Sequence, residues 1–247
     1  LWSYETGGDV LSVDISADGQ YITLGSADDK TYLVKTIRPL TVESSSAGLW
    51  RFDKGSGSTA YDSTTNSNDG TIIGAQWVGG KFGTSLIFDG DDDRVKIDDD
   101  STLDITGNIT IEATINMDSL TDDHQVVVAK WYGGTQSYVL EFDDSTKKPQ
   151  IVIGGGTCRS DTEISLDTWH HIAGTFDGST AKVYIDGTLV KTCSITGSIG
   201  DGASALMIGA HDSSDDRNGF KGMIDEVRIS DVVLAEFNWV TPSVLWS

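Results

Sequence analysis

Asp167 to Leu189 reads DTWHHIAGTFDGSTAKVYIDGTL. His170, Ile172, Gly174 and Phe176 alternate with His171, Ala173 and Thr175, the period of two that a strand shows when its side chains point to opposite faces. Asp177-Gly178 interrupts the alternation, Ala181 to Ile185 resumes it, and Asp186-Gly187 breaks it again. Asp and Gly tolerate the positive backbone angle that tight hairpin turns require. The stretch is therefore a three-stranded meander. Trp169 opens its first strand, and a large aromatic there is expected on the inner face of a sheet packed on another sheet.

The composition agrees with an all-β reading. The chain has 247 residues with 28 Gly and only 3 Pro, and no apolar pattern of helical period runs long enough to nucleate a helix. That length accommodates one large β domain or two smaller units, either with a sizeable core. The formal charge of −21 argues against nucleic acid, because neutralising phosphates takes clustered Lys and Arg. It suits a solvated surface, or one that holds divalent cations. No run approaches the length of a membrane span. The chain opens with Leu1 rather than Met, as expected of a processed form or an excised portion. Cys158 and Cys193 flank the meander. Paired, they close a loop of about 35 residues, contribute roughly 4 kcal/mol in the chain-entropy model and imply an oxidising compartment. Unpaired, they are two buried thiols.

Residues 1–37 have a different rhythm. Val10 to Ile15, Tyr21 to Leu24 and Thr31 to Val34 read as strands separated by Ala17-Asp18-Gly19 and Ala27-Asp28-Asp29. This run resembles a blade of a WD40-like or quinoprotein-like β-propeller, which has four strands. The string Leu1-Trp2-Ser3 recurs as Leu245-Trp246-Ser247. The reading is a blade-like sheet made by residues 1–37 with 243–247, a linker at 38–47, and a second domain over 48–238 inserted between the blade's third and fourth strands. A sheet with unfilled edges also invites pairing with copies of the same chain by strand addition.

Within the second domain, strands are expected at Gly48 to Arg51, Gly70 to Ile73, Ser85 to Phe88, Arg94 to Ile97, Ile109 to Met117, Gln125 to Trp131, Ser137 to Phe142, Gln150 to Ile153, Ala205 to Ala210 and Phe220 to Ser230. With the meander they make two sheets of six or seven strands. The motifs WHHIAGTFDG and VYIDG, with GLWRFDKGSGSTAYDSTTNSNDG (48–70), SLIFDGDDDRV (85–95) and FKGMIDEVRIS (220–230), closely resemble the laminin-G-like jelly roll of the concanavalin A-like superfamily. The resemblance implies a two-sheet sandwich, a short helical turn over Asp231 to Leu234, and an extracellular or cell-surface module for adhesion, carbohydrate recognition or surface assembly.

Catalysis is not expected. Glycan-cleaving relatives need two carboxylates alternating on one face of a strand. The nearest approaches, Ile111 to Ile115 around Glu112 and Ile224 to Val227 around Asp225-Glu226, lack that spacing. No Ser, His and Asp constellation can be assembled from sequence order, and His124, His170, His171 and His211 lack metal-ligand spacing. Calcium is the expected cofactor, since hard oxygen ligands crowd three loops: 62–70, 89–93 and 211–216. The resemblance implies Asp53, Asp62, Asn66, Asp69 and Asp225 as ligands around the first loop. For glycans or surface proteins, the expected contacts are Trp131 and Tyr132, at the end of a strand before a Gly-rich loop, with His211, Asp212 and Asp215 from the loop before the closing strand.

Overall fold

A computed structural model describes residues 9–15, 21–27, 31–35, 40–119, 124–132, 135–143, 146–200, 202–211, 219–237 and 243–246. The chain divides into two compact units, Leu1–Arg38 with Phe237–Ser247, and Pro39–Glu236. In the small unit β1 (Val10–Ile15), β2 (Tyr21–Ser26) and β3 (Thr31–Lys35) run as an antiparallel meander. In the large unit come β4 (Ser46–Trp50), β5 (Thr59–Ala60), β6 (Gly70–Ile73), β7 (Gln76–Gly79), β8 (Thr84–Asp89), β9 (Arg94–Ile97), β10 (Ile109–Met117) and β11 (Gln125–Tyr132). They are followed by β12 (Thr135–Phe142), β13 (Pro149–Ile153), β14 (Gly156–Arg159), β15 (Trp169–Phe176), β16 (Thr180–Ile185), β17 (Thr188–Ser194), β18 (Leu206–Ile208) and β19 (Lys221–Ser230). The last strand, β20 (Ser243–Trp246), pairs with β3 and gives a four-stranded sheet in the order β1-β2-β3-β20. Its other edge, β1, exposes Val10, Leu11 and Val13.

The large unit is a sandwich of two eight-stranded sheets. The front sheet runs β17-β16-β15-β10-β19-β8-β7 with β4 also on β19, and the back sheet runs β14-β13-β12-β11-β18-β9-β6-β5. Each holds more strands than the sequence suggested, because β5, β7 and β14 are too short to alternate visibly. The core lies between the sheets: Ile111, Ala113, Ile115, Ile172, Phe176, Ile224 and Val227 from the front meet Val128, Tyr138, Leu140, Phe142, Ile151 and Ile153 from the back. Gly174 allows a close approach, since a Cβ there would stand 2.7 Å from the Ile151 side chain. Asp186 and Gly187 both take positive φ (51° and 73°) between β16 and β17, as a two-residue type I′ hairpin demands. Cys158 of β14 and Cys193 of β17 form a disulfide with 5.6 Å between Cα atoms, which fastens the outer strands of the two sheets together.

Three sequence expectations are corrected. Trp169 is only partly buried and lies outside the core cluster, because by the period of two it shares the face of His171, not that of Ile172. Residues 231–234 form no helical turn; they run alongside β10, where Thr110 Oγ1 donates to the Val232 carbonyl and accepts from Leu234 N–H. The stretch 38–47 is no free linker from residue 40 onward: Leu40 is buried and its N–H donates to Glu226, and Ser46 and Ala47 already belong to β4.

Two buried ionic networks anchor the sandwich. Lys130, fully buried, places Nζ 2.6 Å from Asp99, 3.0 Å from Asp104 and 2.8 Å from the Ser204 carbonyl. Glu112 of β10 receives Arg228 Nε (2.8 Å) and Nη2 (2.6 Å) of β19 on Oε1 and faces His171 Nε2 (2.9 Å) of β15 through Oε2. Burial alone would raise the Glu112 pKa, but His171 and Arg228 outweigh it and hold the carboxyl below its ordinary value. That stabilisation is full above the ordinary carboxylate range and is lost as pH falls through the depressed value. Glu112→Gln is expected to leave Arg228 as a buried, uncompensated charge and to cost about 3–5 kcal/mol. Urea unfolding checks this, and a loss under ~1 kcal/mol would contradict it.

Candidate functional site

The outward face of the back sheet carries two parallel rows of side chains, set by strand register. Val126, Glu141, Gln150 and Arg159 stand opposite one another across β11, β12, β13 and β14, and beside them run Ala129, Val139, Val152 and Thr157. The inward positions between them, Leu140, Phe142, Ile151, Ile153 and Cys158, belong to the core. One row is therefore mostly polar and the other mostly apolar. Val126, Ala129, Val139 and Val152 form a small apolar cluster of their own, with Trp131 packed against it. A cleft of about 460 Å³ opens here, lined by His124, Glu141, Asp143, Gln150, Thr157 and Arg159 among others.

Glu141 is the chemical centre of this cleft. It is buried, its Oε1 accepts from Gln150 Nε2 at 2.8 Å, and His124 Nδ1 stands 3.4 Å from the same oxygen. Among the described residues nothing donates a hydrogen bond to its Oε2, and His211 Nε2 stands 3.9 Å from it. The His211 ring in turn lies against Trp131, with centroids 4.3 Å apart and planes tilted by 43°. Of the expected ligand contacts, the structure brings Trp131 and His211 together. Tyr132 has its backbone in β11 while its side chain falls outside the described residues, as do Asp212 and Asp215 entirely.

Sequence reasoning missed Glu141, Asp143, Gln150 and Arg159. It also overlooked that Glu141-Phe142-Asp143 spaces two carboxylates by two residues at the end of β12, which corrects the statement that no such pair exists. Asp143, however, is already bonded to Arg159. A Ser, His and Asp chain exists as well: Ser165 Oγ is 2.8 Å from His170 Nε2, and His170 Nδ1 is 2.8 Å from Asp186 Oδ2. Asp186 Oδ1 accepts from His171 N–H, so the chain ties the loop before β15 to the β16–β17 turn. It does not line the back-sheet cleft.

The five expected calcium ligands do not converge. Both oxygens of Asp62 are occupied by the protein, with Leu49 N–H and Thr64 N–H on Oδ1, and Thr64 Oγ1 and Asn68 N–H on Oδ2. Asn66 Nδ2 donates to the Ala47 carbonyl and Asp69 Oδ1 accepts from Asp62 N–H. That loop is a hydrogen-bonded clip on β4. Among the described residues, the acidic group whose ligand atoms all lie within 4.8 Å of one another is Asp89, Asp92 and Asp93.

Asp53 and Asp225 meet elsewhere, beside Glu226. Opposite Ala113, β19 carries a bulge, and Glu226 takes a positive φ of 50°. Asp225 Oδ2 accepts from Phe82 N–H, and the approach is close enough that a Cβ on Gly80 would stand 2.7 Å from that oxygen. Asp225 and Glu226 are both fully buried, and among the described residues Asp225 Oδ1 and Glu226 Oε1 have no hydrogen-bond partner. Burial, with the charge of Asp53 nearby, pushes Asp225 up to about 7; burial and the charge of Asp225 push Glu226 up to about 8.

Comparison with known proteins bears on the fold. Residues 89–236 match the family model Laminin_G_3, of the concanavalin A-like lectin/glucanases superfamily. No curated protein matches by sequence. Among solved structures, domain 4 of AbnA, a GH43 extracellular arabinanase from Geobacillus stearothermophilus in complex with arabinotriose, superposes with a TM-score of 0.62 at 20% identity, covering 78% of this chain and 95% of that one. The binding domain of Paraclostridial Mosquitocidal Protein 1 gives 0.62 at 14% identity, with 77% and 49% covered. Trypanosoma rangeli sialidase gives 0.60 at 14%, with 88% and 46% covered. The chain thus spans about half of each of the latter two.

The raised carboxylates set a pH dependence. The folded state keeps protons on Asp225 and Glu226 that the unfolded chain releases near pH 4, so stability falls as pH rises from there to about 8 and then levels off. Asp225→Asn and Glu226→Gln are expected to flatten this slope in thermal melts across that range; an unchanged slope would contradict the assignment.

Proposed function

The chain belongs to the Laminin_G_3 family of the concanavalin A-like lectin/glucanases superfamily, and we propose that it is an extracellular module that binds a glycan on the outward face of its back sheet without cleaving it. The observation that carries the reading is Glu141 Oε2, a buried acceptor that lines the cleft and receives no hydrogen bond from the described residues. Buried polar atoms left without a partner are costly and uncommon, and a sugar hydroxyl is the donor this one lacks. Gln150, Thr157 and the His124 ring add further polar groups at the cleft wall. Trp131 and His211 supply a ring surface beside them, on which the apolar face of a sugar can rest.

The charge of −21 and the carboxylates at the cleft favour a neutral glycan over a polyanionic one. Binding rather than cleavage is supported by the pairing of Asp143 with Arg159, because hydrolysis needs two available carboxyl groups flanking the scissile bond. The disulfide supports placement outside a reducing cytosol. On a glycan array, binding to neutral structures is expected, with Trp131→Ala and Glu141→Gln each weakening it at least tenfold. Binding that survives both substitutions, or release of reducing sugar from the bound glycan, would refute the reading.

Calcium belongs to the same proposal, at the turn after β8. Oxygen donors of Asp89, Asp92 and Asp93 come within 4.8 Å of one another, a set of hard ligands suited to a divalent cation. Burial, and the charges of the neighbouring aspartates, raise the Asp93 pKa, a cost that a bound cation would relieve. Calorimetric titration with calcium is expected to give one site that Asp93→Asn abolishes and Asp225→Asn leaves intact. No uptake of heat, or loss of the site in Asp225→Asn instead, would contradict it.

A further inference from the structure

We propose that Asn108 is an N-glycosylation site that is modified before the domain folds. Asn108-Ile109-Thr110 is the chain's only Asn-Xaa-Ser/Thr triplet, and its middle residue is not Pro. Asn108 is exposed in the segment just before β10, and the neighbouring Gly107 has open space where a side chain would stand. A bulky polar adduct on the Asn108 amide therefore has room on the folded surface. The Cys158–Cys193 disulfide supports the extracellular placement proposed above, on which this inference rests, and an oxidising secretory compartment is the setting in which this modification is made.

The order of events follows from Thr110. Transfer to the amide nitrogen of Asn108 joins that nitrogen to the anomeric carbon of a sugar and releases the lipid pyrophosphate carrier that held it. The triplet requires Ser or Thr two residues on because the transferase engages that hydroxyl. In the folded domain Thr110 is 1% exposed, and its Oγ1 donates to the Val232 carbonyl at 2.7 Å and accepts from Leu234 N–H at 2.9 Å. Thr110 also sits inside the ladder between β15 and β19. The hydroxyl that recognition needs is thus consumed by the fold. Only the unfolded chain offers Asn108 and Thr110 together, whereas the folded chain shows the amide alone.

The test is secretion of the full chain from a eukaryotic host, followed by intact mass and peptide mapping with and without a peptide-N-glycosidase. A glycan mass on the peptide that contains Asn108 is expected, absent in Asn108→Gln, which leaves the core untouched. In the second arm, the folded, unglycosylated protein and the nascent chain are each offered to microsomes. Modification of the nascent chain alone is expected. A secreted chain that carries no glycan at Asn108 would overturn the site, and efficient modification of the already folded domain would overturn the timing.

Discussion

A carboxylate shut away from water holds the centre of the front sheet. Glu112 stands on β10, between β15 and β19, and its two oxygens are divided between His171 and Arg228. An isolated buried carboxylate would take up a proton or unfold its surroundings. With these two partners it instead joins three strands that lie far apart in sequence, and Arg228 continues the connection through Nη1 to the Thr41 carbonyl. The motifs around residues 112, 171 and 228 thus meet in one network, so their register is fixed by charge as well as by the apolar alternation on the opposite face. A slip of one residue in any of them would bury an unpaired charge.

The rigidity so gained serves the other sheet. Ile111 and Ile172 of the front sheet share one core with Leu140 and Ile151 of the back sheet, and the disulfide clamps β14, whose Thr157 and Arg159 line the cleft, to β17. Glu141 and Gln150 sit on strands whose inward neighbours are all core residues, so their positions are set by packing rather than by a loop. A polar site on strands held this way is preorganised. Its affinity for a ligand is then not reduced by the cost of ordering the strands that carry it.

Much of the sandwich is legible from sequence because its turns are chemically explicit. Asp177-Gly178 and Asp186-Gly187 can only be reversals, and the alternation between them leaves one strand reading. β5, β7 and β14 are not legible, since segments of two to four residues such as Thr59–Ala60 carry no period. The face of Trp169 is misjudged because its size suggests the core, while its parity with His171 decides otherwise. The site is harder still. Glu141 and Gln150 meet across the β12–β13 register, and Arg159 joins them only through β14; no local pattern announces such a row. Trp131 and His211 are far apart in the chain, and only the Gly-rich loop after one and the acidic loop after the other point to them. Asp62 misleads in the opposite sense, since an oxygen-rich loop reads as a cation site when its oxygens are spent on backbone N–H groups.

Ligand binding on the outward face of the back sheet is tested most directly by nuclear magnetic resonance of the isotopically labelled protein. On titration with a neutral oligosaccharide that the protein binds, the largest shift changes should fall on the Trp131 indole, the Gln150 side-chain amide and the backbone amides of Val139, Glu141 and Val152, while the front sheet around Glu112 stays still. Perturbations gathered on the front sheet or on the β4–β6 loop, with the back-sheet rows silent, would contradict it.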